Sequence, residues 1–395
     1  MRVKFFVLIS CIIFFCLKSY NDIISLDITK DEVKDLGNGV ILYKNIQSNN
    51  EDRFAILYPP LSGLLSLISL NAFTHLSIEN IQSIPSGNYS DMVSYMYATD
   101  LPYAIGTNII QTLSEDDISK LKIAMRWKNI IGILGLFYIL ILHKPNLWTV
   151  VLVLFFIFNN EFITYTSQVL CSLFTIITFE LVVSTLKFRS KLKFSIIGLL
   201  LGLTVSVAGI NGLKLNLMMI VAALIYDDLK SKSLNKGFKK DWIIGVGICL
   251  FITVITTWVV YGVYLEKFKE VLVIFNVENK LLFNIAELEV IPFYDTFKQT
   301  IFEIIFEDNS NAQPFKTHLM TVLRYCWPFI ILIILRLKQI MNNQYLIASI
   351  LILLITIIPN SQDASKLLII AQTVSIIIPV LIFLSFYNEQ NKKKF

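Results

Sequence analysis

Gly39-Val40-Ile41-Leu42-Tyr43-Lys44-Asn45-Ile46 and, a few residues on, Leu57-Tyr58-Pro59-Pro60-Leu61-Ser62-Gly63-Leu64-Leu65 lie between the first apolar run of this chain and all the others. Each of the two adjacent prolines fixes φ at about −65° and lacks a backbone donor, so residues 58–60 cannot be helix interior. Leu61 onward can begin a helix with Pro60 just ahead of it. A rigid elbow of this kind at a membrane edge holds nearby polar side chains at one depth. Everything downstream reads as membrane scaffold around it.

The chain has 395 residues, of which 55% are hydrophobic and 16% charged, with a mean hydropathy of +0.67. A soluble protein would carry about a quarter charged residues, so the composition specifies a polytopic membrane protein. The net charge of +5 is carried by short Lys/Arg clusters between apolar runs. That pattern sets topology and excludes a nucleic-acid surface. Cys11, Cys16, Cys171, Cys249 and Cys326 all sit in or beside apolar runs, and His75, His143 and His318 are far apart. No disulfide framework and no zinc spacing follow from them, so no metal ligand is assigned.

Arg2 and Lys4 precede an apolar run with no small-x-small cleavage site behind it, which predicts a signal-anchor span over 1–18 with its N-terminus in the cytosol. A polar, acidic stretch, 19–53, follows. Residues 61–76 form a short apolar helix inside an external segment running from 19 to 124. The transmembrane core covers 125–264, a second external segment 265–322, and the last spans with a basic cytosolic tail 323–395. Positive-inside placement of Lys187–Lys193, Lys230–Lys240, Arg336–Lys338 and Lys392–Lys394 requires 194–226 to be a two-span hairpin. Helix 61–76 then skims or re-enters the membrane, giving ten spans; an eleven-span count, with 61–76 crossing, puts the basic 187–193 loop outside.

The order of signal-anchor, acidic stretch, Tyr43-Lys44-Asn45-Ile46, Tyr58-Pro59-Pro60-Leu61 and a later span opened by Arg126 resembles the GT-C integral-membrane glycosyltransferases that use polyprenyl-phosphate sugars. Protein O-mannosyltransferases and lipid A aminoarabinose transferases belong to that superfamily. The resemblance covers roughly residues 20–226. It implies an all-α GT-C-like bundle of ten to eleven transmembrane helices, sited in a bacterial inner membrane with its active site on the external face. It also implies a lipid-phosphate sugar as donor, a glycan, lipid or protein as acceptor, membrane lipids as partners and no further cofactor, with a divalent metal left open.

Transfer from a lipid phosphate needs one general base, since phosphate leaves as a stable anion without a proton. Attack opposite the phosphate inverts the anomeric carbon. The resemblance makes Asp27, Asp31 or Glu32 the base. It places Tyr43, Lys44, Arg53, Tyr58, Pro59, Pro60 and Arg126 about the donor, with Lys44, Arg53 or Arg126 facing the phosphate. Glu161 is a candidate for acceptor or metal contact, and Lys214 a second candidate for the phosphate. Read as residues alone, Arg126 beside Trp127 is rather an interfacial anchor than a phosphate ligand, and the acids a solvated face. Tyr89 to Tyr103 could stack on a sugar or form an aromatic belt.

The family's segment lysine falls at Ala208 here, with Lys214 six residues later, and the acid of a neighbouring span falls near Ser172. These departures support an alternative: a degenerate GT-C-fold protein with a scaffold or binding role. A transporter ranks third, because paired broken helices in related halves are absent from the sequence. The topology is open to a direct check. A single cysteine at Gln82 or Ile110 should react with a membrane-impermeant maleimide from outside in the ten-span arrangement; labelling only from inside would establish eleven spans.

Overall fold

The computed structural model describes residues 2–47, 60–74, 101–142, 147–187, 190–231, 240–262, 315–357 and 364–392. Among these residues the architecture is all-helical: α1 (Arg2–Ser25), α2 (Lys30–Gln47), α3 (Pro60–Thr74), α4 (Leu101–Thr112), α5 (Glu115–Leu142) and α6 (Leu147–Phe158) form the first half. There follow α7 (Gln168–Lys187), α8 (Lys191–Ser231), α9 (Lys240–Gly262), α10 (Phe315–Leu335), α11 (Gln344–Ile357) and α12 (Ala364–Lys392). Four segments are long and apolar enough to cross a membrane: Leu8–Ser25, Glu115–Leu142, Gln168–Leu186 and Lys191–Gly209. Shorter apolar helices accompany them at Thr149–Phe158, Ile243–Thr257, Cys326–Leu335, Gln344–Leu354 and Ile370–Phe386. The protein is a helical membrane protein by this measure.

Contacts fix the direction of each helix. The α1 carbonyl of Ile23 meets Arg126 while Phe15 meets Phe137, so α1 and α5 are antiparallel. A Cβ at Gly132 would touch Val169 and one at Gly135 Leu173, so α5 and α7 run parallel. Lys193 donates to Ser184, which turns the start of α8 against α7. Gly198 packs on Cys249 and Gly202 on Thr256, so that first half of α8 is parallel to α9. The last three helices close the bundle: Gln168 pairs with Gln372 at one end of α12, and Arg336 with Ser385 near the other. α2, α3 and α4 form a cap on the end to which α1 rises.

The second half of α8 must therefore return the chain. A straight helix of 41 residues would run about 61 Å at 1.5 Å per residue, whereas the connection 232–239 reaches roughly 30 Å at most. The reversal is at Gly209, with φ 57° and ψ −144°. Beyond it a Cβ at Gly212 would lie 2.8 Å from the Thr204 carbonyl oxygen, an impossible approach for residues eight apart in one straight helix. Only glycine takes that backbone conformation without strain. The chain thus reverses within 194–226, and of that segment Lys191–Gly209 is long and apolar enough to cross a membrane.

Helical structure extends beyond what hydropathy suggests. The stretch 19–53 reads as merely polar and acidic, but α1 continues to Ser25 and α2 occupies Lys30–Gln47. Its start is a capping box: Glu32 N–H donates to Thr29 Oγ1 at 3.3 Å, and Thr29 N–H to Glu32 Oε2 at 2.9 Å. Helix α5 begins at Glu115, ten residues before the apolar run, because Ser114 caps it through the Asp117 N–H and acids fill its first turn. Pro60 opens α3 as its first residue, the position at which its missing N–H costs nothing. Within α7, Glu180 accepts a hydrogen bond from the Tyr345 hydroxyl of α11.

α3 packs on α5 through its serines: Ser62 and Ser66 meet Lys128, while Ser69 accepts the Trp127 indole N–H. Packing in the cap is backbone to backbone: a Cβ at Gly37 would sit 1.8 Å from the Pro102 carbonyl oxygen, and one at Gly39 2.3 Å from that of Gly63. Gly37→Ala should accordingly lower the melting temperature in detergent by several degrees. Gly247→Ala, where a Cβ meets nothing within 4 Å, should leave it unchanged or raise it; equal effects would overturn this packing.

Candidate functional site

The cap stands on two buried ion pairs supplied by α5. Arg126 is fully buried, and its five N–H groups are all in use. Nε and Nη2 reach the two oxygens of Glu32 at 2.6 and 2.8 Å. Nη1 donates to the carbonyls of Ile23 and Leu26 at 2.7 and 3.0 Å, and Nη2 to that of Asp27 at 2.6 Å. Lys122 adds a bond to the Ile24 carbonyl at 2.8 Å. Cations thus satisfy the open carbonyls at the C-terminus of α1 and complement its dipole. The carboxylate of Glu32, which also closes the capping box, sits at the positive end of α2.

The second pair lies one step deeper in α5. Lys128 Nζ donates to Asp35 Oδ2 at 2.6 Å, to Ser62 Oγ and Ser66 Oγ at 2.7 Å each, and approaches the Ser62 carbonyl at 3.1 Å. Ser62 and Ser66 hydroxyls donate in turn to the same Asp35 oxygen at 3.1 and 2.9 Å. Lys128 is 2% exposed. The group ties α2, α3 and α5 together, and Ser62 also reaches the Thr166 carbonyl just before α7. Next to it, Asn129 donates to the carbonyls of Ile163 and Tyr165.

These positions correct two readings. Arg126 was expected to face a lipid phosphate near the outer end of its span. It lies eleven residues inside α5, sealed from solvent, with no N–H left to give. Glu32 was a candidate base, but both of its oxygens are held by Arg126 and Thr29, so a proton taken there would break the corner between α1 and α2.

The other candidate acids remain on the outside. Asp27 sits between α1 and α2 with its side chain exposed. Asp31, exposed, and Lys34, half-buried, follow at i and i+3 along one outward strip of α2, while Asn38 at i+7 is buried. Lys30 beside them lies over the Tyr103 ring of α4, 5.1 Å from its centroid. Asp31 reaches solvent at its edge, yet the protein crowded round its carboxyl raises its pKa above the ordinary carboxylate value by desolvation. Lys34 opposes that shift and Asp35 adds to it.

Tyr43 and Lys44 fall in the last turns of α2, and Pro60 opens α3. Arg53, Tyr58 and Pro59 lie outside the described residues. Glu161 is exposed in the short turn Asn160–Thr164, apart from the cap strip in sequence and element. Lys214 lies in the returning half of α8, half-buried. Among the described residues no group of three or more His, Cys, Asp or Glu is placed to hold a metal. Lys128, Asp35, Ser62 and Ser66 escaped the reading of the sequence. The signal that could have found them is the polar run Arg126-Trp127-Lys128-Asn129 inside a long apolar helix, which demands buried partners.

No protein family, characterised protein or solved structure matches this chain. The class it defines on its own is an all-helical membrane protein with a polar helical cap.

The two pairs carry different kinds of bond, and this can be measured. Arg126→Met should destabilise the protein by about 3–5 kcal/mol, because it strands a buried carboxylate. Arg126→Lys should also lower the melting temperature, since an ammonium has three donors for five acceptors. Wild-type melting in both variants would refute the corner described here.

Proposed function

We propose that this protein is a membrane glycosyltransferase that moves a sugar from a polyprenyl-phosphate donor to an acceptor on the outer face of the membrane. On this reading the bundle crosses the bilayer ten times and the cap lies on the outer side. Asp31 is the general base, Lys34 and Lys30 face the lipid phosphate, and Tyr103 offers a ring face to the sugar. The acceptor hydroxyl oxygen bonds to the anomeric carbon as the carbon–phosphate oxygen bond breaks. The hydroxyl proton passes to Asp31, the lipid phosphate departs as an anion, and the anomeric configuration inverts.

The observation that carries the proposal is the outward strip of α2, where a carboxyl with a raised pKa stands one turn from an ammonium. A base works best when its pKa approaches the operating pH, and burial moves Asp31 that way. Its exposed edge leaves it open to an acceptor, as the sealed Glu32 is not.

A second reading, a scaffold that keeps such a fold without the chemistry, is favoured by the saturation of both α5 cations by the chain's own groups. One assay separates the two. Purified protein given labelled polyprenyl-phosphate hexose or pentose should transfer the sugar, and Asp31→Asn should cut the rate at least a hundredfold with the melting temperature retained. Transfer should fall with pH as Asp31 becomes protonated. Folding favours its protonated form, so its contribution to stability is full below the unfolded value of about 3.9 and is lost as pH rises through the raised folded value. Asp31→Asn should abolish that slope. Absence of transfer by the wild type would leave the scaffold reading, and full activity in Asp31→Asn would remove this base.

A further inference from the structure

α3 is polar on the side it buries and apolar on the side it shows. Ser62, Ser66 and Ser69 are all buried, and their hydroxyls stay within the chain: the first two donate to Asp35, the third to the Leu65 carbonyl. On the opposite side Leu61, Leu64 and Ile68 follow at i, i+3 and i+7. The two leucines are half-buried and Ile68 is 56% exposed. A helix lying on a protein in water has the reverse arrangement. Its neighbour α4 keeps the ordinary one, with Ile105 and Ile109 buried while Ala104, Asn108 and Gln111 are exposed. One cap thus has a wet face at α4 and a dry face at α3.

The depth of α3 agrees with a dry face. α5 runs from the cap into the bundle, and Lys122 meets the Ile24 carbonyl near the end of α1. Lys128, which holds α3, lies six residues further in, or about 9 Å. Since Ile23 meets Arg126 and Phe15 meets Phe137, the level of Lys128 falls between Tyr20 and Ile24 of α1. Both of those side chains are exposed. They belong to Leu8–Ser25, a segment long and apolar enough to cross a membrane. α9, which touches α3, is likewise apolar on its exposed side at Leu250, Phe251 and Val259.

We propose that Leu61, Leu64 and Ile68 form a contact surface for lipid acyl chains, with α3 sunk in the leaflet on the cap side. The surface continues the apolar flanks of α1 and α9 at the same end of the bundle, which is why its occupant is hydrocarbon. A serine hydroxyl facing lipid would lack a partner, and turning all three inward removes that cost. α3 also seals the Lys128–Asp35 pair from hydrocarbon, where charge is expensive. Asp31 stands one turn from Asp35, toward the shallower Arg126, and is exposed. The boundary between hydrocarbon and water therefore passes between α3 and Asp31. This inference does not rest on sugar transfer; with transfer, that boundary sets the donor's phosphate at the height of Asp31.

The test uses the full chain in phosphatidylcholine–phosphatidylglycerol nanodiscs. Nitroxides are placed singly at Leu17, Ile68 and Gln111 after replacement of the five native cysteines. The ratio of oxygen to aqueous nickel-chelate collisions should be several-fold higher at Ile68 than at Gln111, and close to that at Leu17. A ratio at Ile68 equal to that at Gln111 would put α3 in water and overturn the inference. Low collision rates with both reagents would overturn it too, by showing that protein covers this face. A second measurement needs no cysteine replacement. Ile68→Asp should lower the melting temperature in nanodiscs by several degrees, and Gln111→Asp should leave it unchanged; equal shifts would refute the dry face. Neither readout involves transfer, so failure of the transferase assay leaves this surface standing, and the reverse.

Discussion

A guanidinium withdrawn from water must spend every N–H it has, and Arg126 does so at the corner between α1 and α2. Three of its bonds close the carbonyl end of α1 and two hold the carboxylate that opens α2. No shorter cation could serve both helix ends, because the task requires a planar fork with five donors. With the corner set, the direction in which α2 leaves α1 is set as well. Lys128 then fixes its height on α5 through Asp35, and collects α3 in the same step through Ser62 and Ser66.

Bundle helices meet through side chains, such as the edge-on contacts of Phe137 with Phe15 and Phe156, and at backbone distance where Gly198 of α8 meets the Cys249 carbonyl of α9. In the cap, helices meet at backbone distance across Gly37, Gly39, Gly63 and Gly106. Side-chain packing tolerates small rotations; glycine against a carbonyl does not. The rotation of α2 about its axis is consequently fixed, and Asp31 is presented at one angle. Buried charge lies beneath and open charge above: Glu32 and Asp35 hold the helix, while Asp31 reaches solvent.

This division also reassigns the cations. A sugar-transfer site needs positive charge free to meet a phosphate, and the two most protected cations of α5 are already committed to carboxylates and carbonyls. Removing either would strand a buried anion, so their retention is explained by folding alone. The proposed phosphate contact falls to the rim of the cap instead, where Lys30 lies over the Tyr103 ring.

Hydropathy made the membrane class and the four long apolar segments legible in advance, because desolvating a run of apolar residues is a local, additive effect. The proline pair announced the start of α3 for an equally local reason, and the basic loops required the hairpin that Gly209 makes. Missed were α2 and the early start of α5, although Thr29-x-x-Glu32 and Ser114-x-x-Asp117 carry capping signals that outweigh a polar composition. The roles of Arg126 and Lys128 were beyond any local reading. Their partners lie 94 and 93 residues away in the chain, and a lone charge in an apolar run looks the same whether it anchors an interface, binds a phosphate or seals a corner. Asn38 is the extreme case: nothing in its neighbours along the chain says that it is buried or that its amide lacks a partner. Burial and pairing belong to the packed assembly of helices, and only there does the energy of each polar group take its value.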